Sequence, residues 1–117
     1  SILENTLFIE GEISKSIELK GGSGAPCKVY FCAKCGTYIY TDYESAVGRL
    51  NVRTKTLNNS NEYPPQVHIF TKDKDSWLNL KDDVICFEKM YDPKITWPQK
   101  SLNRYKEYLQ NKSEKKN

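Results

Sequence analysis

Cys32 and Cys35, separated by Ala33 and Lys34 and followed at once by Gly36, are the residues of this sequence best placed to do chemistry. Thiols at this spacing, with a glycine after the second, let the backbone curl until both sulfurs face one point about 2.3 Å away, the distance at which zinc takes thiolate. They make half of a tetrahedral site, and the other ligands must come from elsewhere. A redox pair is the competing chemistry, and it sets its first thiol at the start of a helix that lowers the thiol pKa. Here Gly36 leads into Thr37-Tyr38-Ile39-Tyr40-Thr41, β-branched and aromatic residues that favour a strand. Val29-Tyr30-Phe31 precedes the pair in the same style. The pattern is that of a zinc knuckle between two strands, preferred over a redox pair or two plain semi-buried thiols.

Within this chain Cys27 is the nearest candidate for a third ligand, with Cys86 or His68 for the fourth. Cys27 could reach only if the loop before it folds back. His68, between Val67 and Ile69, projects to the face opposite theirs and reads first as a hydrogen-bonded strand histidine. Phe70 and Trp77 read as core rather than as a ligand platform. Asp73 with Asp75, and Asp82 with Asp83, lie among lysines or in turns and read as solvated loops. A single histidine supports no Ser-His-Asp set, and Gly21-Gly22-Ser23-Gly24 runs into proline and a strand rather than a helix, so it is no phosphate loop. No catalytic or cofactor-binding residue is assigned; the metal ligands are Cys32 and Cys35, and the cofactor is zinc.

The composition sets bounds on these readings. With 117 residues, 38% hydrophobic and 28% charged, the chain fits one soluble domain. A mean hydropathy of -0.72 says that apolar material is thin, and eight tyrosines and two tryptophans partly offset this. No run approaches the ~20 apolar residues of a membrane span. The first residues lack a signal peptide, so a cytoplasmic location is expected and the four cysteines are read as reduced rather than disulfide-bonded. The chain opens on Ser1, as a processed product or a fragment would. The formal charge of +3 gathers at the end, where Lys100, Arg104, Lys106, Lys112, Lys115 and Lys116 face only Glu107 and Glu114. That reads as a solvated helix face with a frayed tail, and no partner is assigned from it.

Along the chain, short strands are expected around a turn at Gly11, on both sides of the cysteine pair, over Val47–Arg53, after Pro64-Pro65 and over Val84–Phe87, the last as a strand or core-facing segment. The glycine loop reads as mobile. Thr96-Trp97-Pro98-Gln99 has the form of a capping box, after which Leu102, Tyr105, Tyr108 and Leu109 recur at helical spacing, with the helix fading by Ser113. The expectation is a mainly β domain over residues 1–95, followed by a C-terminal helix and basic tail over 96–117.

Taken in order, Leu7-Phe8-Ile9-Glu10-Gly11-Glu12, Phe31-Cys32-Ala33-Lys34-Cys35-Gly36-Thr37, Leu50-Asn51-Val52 with Thr56-Leu57-Asn58, Pro64-Pro65-Gln66-Val67-His68-Ile69-Phe70 and Ser76-Trp77-Leu78 resemble the glutathione-dependent formaldehyde-activating enzymes. Those enzymes share a Mss4-like fold of β-sheets with centromere protein V. The resemblance implies that Cys32 and Cys35 supply two of four thiolates on a structural zinc. It places the other two on an upstream C-x-C pair, and a catalytic zinc on an upstream three-cysteine cluster. This chain contains neither cluster, as though it began after them. Lys55 stands where the family has glycine, and Asn58 where it has aspartate; Cys27 and Cys86 match no family role.

The function implied is a zinc-dependent carbon–sulfur lyase acting on glutathione or other thiol–aldehyde adducts, once the missing ligands are supplied. The alternative is a non-catalytic, zinc-stabilised Mss4-like interaction module. A nucleic-acid-binding ribbon is weaker, since lysines and aromatics do not interleave on one strand. No membrane partner is expected, and a homodimer in which two chains pool their half-sites stays open.

Overall fold

β-Branched and aromatic residues concentrate between residues 26 and 43, and the two longest strands form there. The computed structural model describes residues 1–115, so Lys116 of the basic tail lies outside the described residues. The strands are β1 (Ile2–Leu3), β2 (Ile13–Lys15), β3 (Leu19–Lys20), β4 (Pro26–Cys32), β5 (Tyr38–Tyr43) and β6 (Arg49–Val52). They form one antiparallel sheet in the order β1-β6-β5-β4-β2, with β3 also on β4. A separate parallel pair joins β7 (Val67–His68) to β8 (Ile85–Cys86). A short α1 (Pro93–Thr96) and the long α2 (Gln99–Lys115) close a mainly β chain with a C-terminal helix.

The β4–β5 hairpin is held by cross-strand aromatic pairs. Tyr30 stacks on Tyr40 with ring centres 4.4 Å apart and planes 5° from parallel, and Phe31 meets Tyr38 edge-on at 5.9 Å. Such pairs stabilise a sheet by a few tenths to about 1 kcal/mol each. Between them the register slips, because Tyr30 faces Tyr40 while Phe31 faces Tyr38, which leaves Ile39 as the extra residue of a bulge. The Ile39 carbonyl instead accepts the Arg53 N–H at 2.8 Å. On the other edge of β4, Ser16 joins the gap between β2 and β3: its N–H donates to the Val29 carbonyl, and its hydroxyl accepts the Val29 N–H at 2.9 Å.

Among the described residues, Cys27, Val29, Tyr40, Thr41, Ala46 and Gly48 are buried. Thr41 is 1% exposed, and the Tyr38 hydroxyl satisfies its own. The glycine loop folds into a hydrogen-bonded turn. Gly21 donates to the Ala25 carbonyl at 2.8 Å, and the rings of Tyr43 and Phe70 lie where side chains on Gly21 and Gly22 would stand.

Other expectations change in detail. The turn at Gly11 is present, but Leu7–Ile9 forms no strand and Phe8 is 86% exposed. Trp77 is likewise 75% exposed, so it is not core, and the strand at Ile85–Cys86 does not face a core, since both residues are exposed. Thr96 caps nothing: it ends α1, its hydroxyl donates to the Asp92 carbonyl, and Asp92 itself caps that turn by accepting the Lys94 N–H. The stripe on α2 is as expected, although the helix continues to Lys115.

That stripe docks on the turn before β6. Tyr105 donates its hydroxyl to the Val47 carbonyl, while Tyr108 and Lys112 both donate to Glu4 Oε1, at 2.7 and 2.5 Å. Gly48 makes the approach close, with φ at +82° and the Leu109 and Tyr108 side chains 3.0 and 3.1 Å from where a Cβ would lie. Gly48→Ala should therefore destabilise the fold by more than about 1 kcal/mol, since it meets both an unfavourable backbone and a packed neighbour. Urea denaturation checks this, and unchanged stability would mean that α2 does not sit on this turn.

Candidate metal centre

The turn that carries the two thiols is set by the bulge above it and by one glycine. Cys32 ends β4, and its N–H donates to the Thr37 carbonyl at 2.8 Å, while its own carbonyl accepts the Gly36 N–H at 2.8 Å. Gly36 takes φ at +74°, a left-handed conformation that favours glycine and brings the chain round into β5. The Ala33 N–H donates to the Glu12 carbonyl at 3.2 Å, which ties the turn to the segment leading into β2.

All four cysteines are free. Cys32 and Cys35 do come together on this turn, Cys32 half-buried and Cys35 exposed. The Thr37 hydroxyl lies 3.1 Å from the Cys35 sulfur. Hydrogen bonds from the Thr37 hydroxyl and then its amide, with a further one from the Cys32 thiol, hold the Cys35 pKa below the usual thiol value. The site thus stabilises a thiolate, the form that binds metal. The Arg53 guanidinium stands 4.0 Å over the Tyr38 ring just beyond the turn.

The further ligand candidates are not brought to it. Cys27 lies on β4 five residues before Cys32, an odd number that puts the two on opposite faces and about 16 Å apart along an extended strand. It is 7% exposed, between Leu19 and Tyr43. His68 and Cys86 are register partners on β7 and β8. Among the described residues no group of three or more His, Cys, Asp or Glu is placed to hold a metal. What stands here among the described residues is a thiol-bearing turn with two donors, and no complete zinc knuckle is shown. Its donor chemistry fits half of a zinc site.

A second feature was not legible in the sequence. A cleft of about 860 Å³ opens between β1, the start of β6, the 62–67 segment and the start of α2. Glu62, Tyr63, Arg104 and Tyr105 line it, and the Arg49 guanidinium sits 5.1 Å from the Trp97 ring and 5.9 Å from that of Tyr105. The Arg49 Nε is buried without a partner. These residues come from distant segments, and no local pattern announces their meeting.

Two substitutions check this geometry. Thr37→Val keeps a β-branched residue but removes the hydroxyl, so the Cys35 pKa should rise and its alkylation at neutral pH should slow; an unchanged pH profile would contradict the hydrogen bond. Cys27→Ala should cost on the order of 1 kcal/mol of stability in urea denaturation, because the thiol is buried between β3 and β5; unchanged stability would contradict that packing.

The sequence profile described as glutathione-dependent formaldehyde-activating enzyme matches residues 2–73, stopping short of Ser76-Trp77-Leu78. No curated protein and no solved structure matches the chain. The matched span covers more than half of the sequence and contains the whole β1–β6 sheet with its thiol-bearing turn, so the chain belongs to the glutathione-dependent formaldehyde-activating enzyme family.

Proposed function

We propose that Cys32 and Cys35 are two thiolate ligands of a structural zinc in a domain of the formaldehyde-activating type, whose reaction is carbon–sulfur bond making and breaking on glutathione–aldehyde adducts. The observation that carries this is the convergence of two thiols on one turn in a chain of that family. Cys32 and Cys35 would hold such a zinc, which would supply a fixed anchor for the turn of the hairpin. The chain's own residues do the rest of the positioning. Gly36 sets the turn, Thr37 holds Cys35 toward its thiolate form, and the hydrogen bond from Ala33 to Glu12 fixes the neighbouring edge. The cleft beside Arg49 suits the peptide part of such an adduct. Glutathione carries two carboxylates and one ammonium, and the cleft offers Arg49 and Arg104 for the first and Glu62 for the second.

A non-catalytic, zinc-stabilised interaction module is the second reading, favoured by the surface left open. The chain exposes 9519 Å², against about 6,600 Å² for a folded monomer of its 13.6 kDa.

Metal analysis and an exchange assay separate the readings. The purified chain should contain zinc that Cys32→Ser and Cys35→Ser each remove, and a protein that carries it together with the upstream cysteine clusters should accelerate exchange between glutathione, labelled formaldehyde and their adduct, followed by NMR. Zinc without acceleration would leave the module, and absence of zinc would overturn both.

A further inference from the structure

Arg49, the first residue of β6, is a half-buried cation for which the described residues supply no counter-ion. Its guanidinium lies against the Trp97 and Tyr105 rings, and its Nη1 donates to the Ser1 hydroxyl at 3.1 Å. Its Nε is buried and finds no acceptor. Ring faces attract a positive charge, but they do not neutralise it, and a charge withdrawn from water is ordinarily paired. Arg104, exposed in the first half of α2, lines the same cleft and likewise has no ion pair among the described residues. The other charged side chain of the lining is Glu62, which accepts from the Asn59 amide at 2.9 Å. Two guanidiniums against one carboxylate leave the lining side chains with a surplus of one positive charge, beside the aromatic walls of Tyr63 and Trp97.

We propose that this cleft is a carboxylate-binding site for a small organic anion with a single net negative charge, gripped by Arg104 and Arg49 while its apolar part lies on the aromatic walls. The inference rests on the assignment of the cleft to the peptide part of a glutathione adduct, and adds that recognition is by carboxylate, with no part played by a thiol or a metal. The planar fork of a guanidinium matches a carboxylate through two parallel N–H bonds. Charge balance selects a carboxylate over phosphate, because the second negative charge of a phosphate exceeds the surplus of the lining and is opposed by Glu62. A glutathione whose sulfur is capped has the matching balance: two carboxylates and one ammonium sum to a single negative charge, and the ammonium suits Glu62. Binding is non-covalent, and no proton or electron is transferred.

The test is an NMR titration of the purified 117-residue chain with S-methylglutathione. The expected result is saturable shifts at the cleft, the Arg49 Nε–H resonance among them, and none over Cys32–Thr37. Arg104→Gln should weaken binding about tenfold, as loss of a charge-assisted pair does. Lys106→Gln removes the same charge from an exposed position of α2 outside the cleft and should leave the affinity unchanged. The diamide of the same peptide should bind about tenfold more weakly, since it keeps the apolar body and loses the carboxylates. Inorganic phosphate at equal concentration should not displace the probe. No binding, or shifts confined to the thiol-bearing turn, would overturn the site. Equal affinity of the diamide, an unaltered Arg104→Gln or displacement by phosphate would overturn carboxylate recognition. Because the probe has no free thiol, a chain without zinc would end the zinc reading of the turn and leave this site standing.

Discussion

The antiparallel pairing of β4 with β5, and the single extra residue in it, governs the rest of this structure. Ile39 shifts the phase so that Phe31 faces Tyr38, and the next step along β4 brings Cys32 to the turn that Gly36 closes. Without the bulge the pairing would continue in its first register, and every residue beyond it would face the other way. The freed Ile39 carbonyl binds Arg53 beyond β6, so the bulge that sets the thiols also fixes the neighbouring strand. β6 in turn carries β1, and the turn before it receives α2 through Gly48.

This arrangement holds a fold with little apolar interior. Few side chains are buried, and ring stacking across β4 and β5, rings laid on glycines and hydroxyls donated to carbonyls replace part of what a larger core would supply. Glu4 shows the pattern: a half-exposed carboxylate gathers Tyr108 and Lys112 from α2 onto the edge of the sheet. A pair this exposed contributes about 1 kcal/mol or less, so the helix depends more on its apolar stripe. A tetrahedral ion at the far end of the hairpin would constrain the part of the sheet that burial constrains least.

The hairpin and its thiols were legible because their signals are local. β-Branched and aromatic runs flank a two-residue spacer and a glycine, and each piece acts on its neighbours. The family resemblance was legible from the order of short segments, although the matched span ends before Trp77. The stripe on α2 also followed from spacing, while its start did not, because Asp92 competes for Thr96 and turns the apparent capping box into the end of α1. Ile85 and Trp77 look like core by residue type, yet nothing among the described residues covers them. The opposite faces of Cys27 and Cys32 follow from strand parity, once that stretch is known to be one unbroken strand. The Arg49 cleft depends on contacts between remote segments and left no trace in any window of sequence.

X-ray absorption at the zinc edge of the purified chain tests the central claim most directly, because it reads the identity and distance of the atoms around the metal. The account predicts bound zinc with a sulfur shell at about 2.3 Å, lost when Cys32 is replaced. A chain without zinc, or with zinc surrounded only by oxygen and nitrogen, would contradict it.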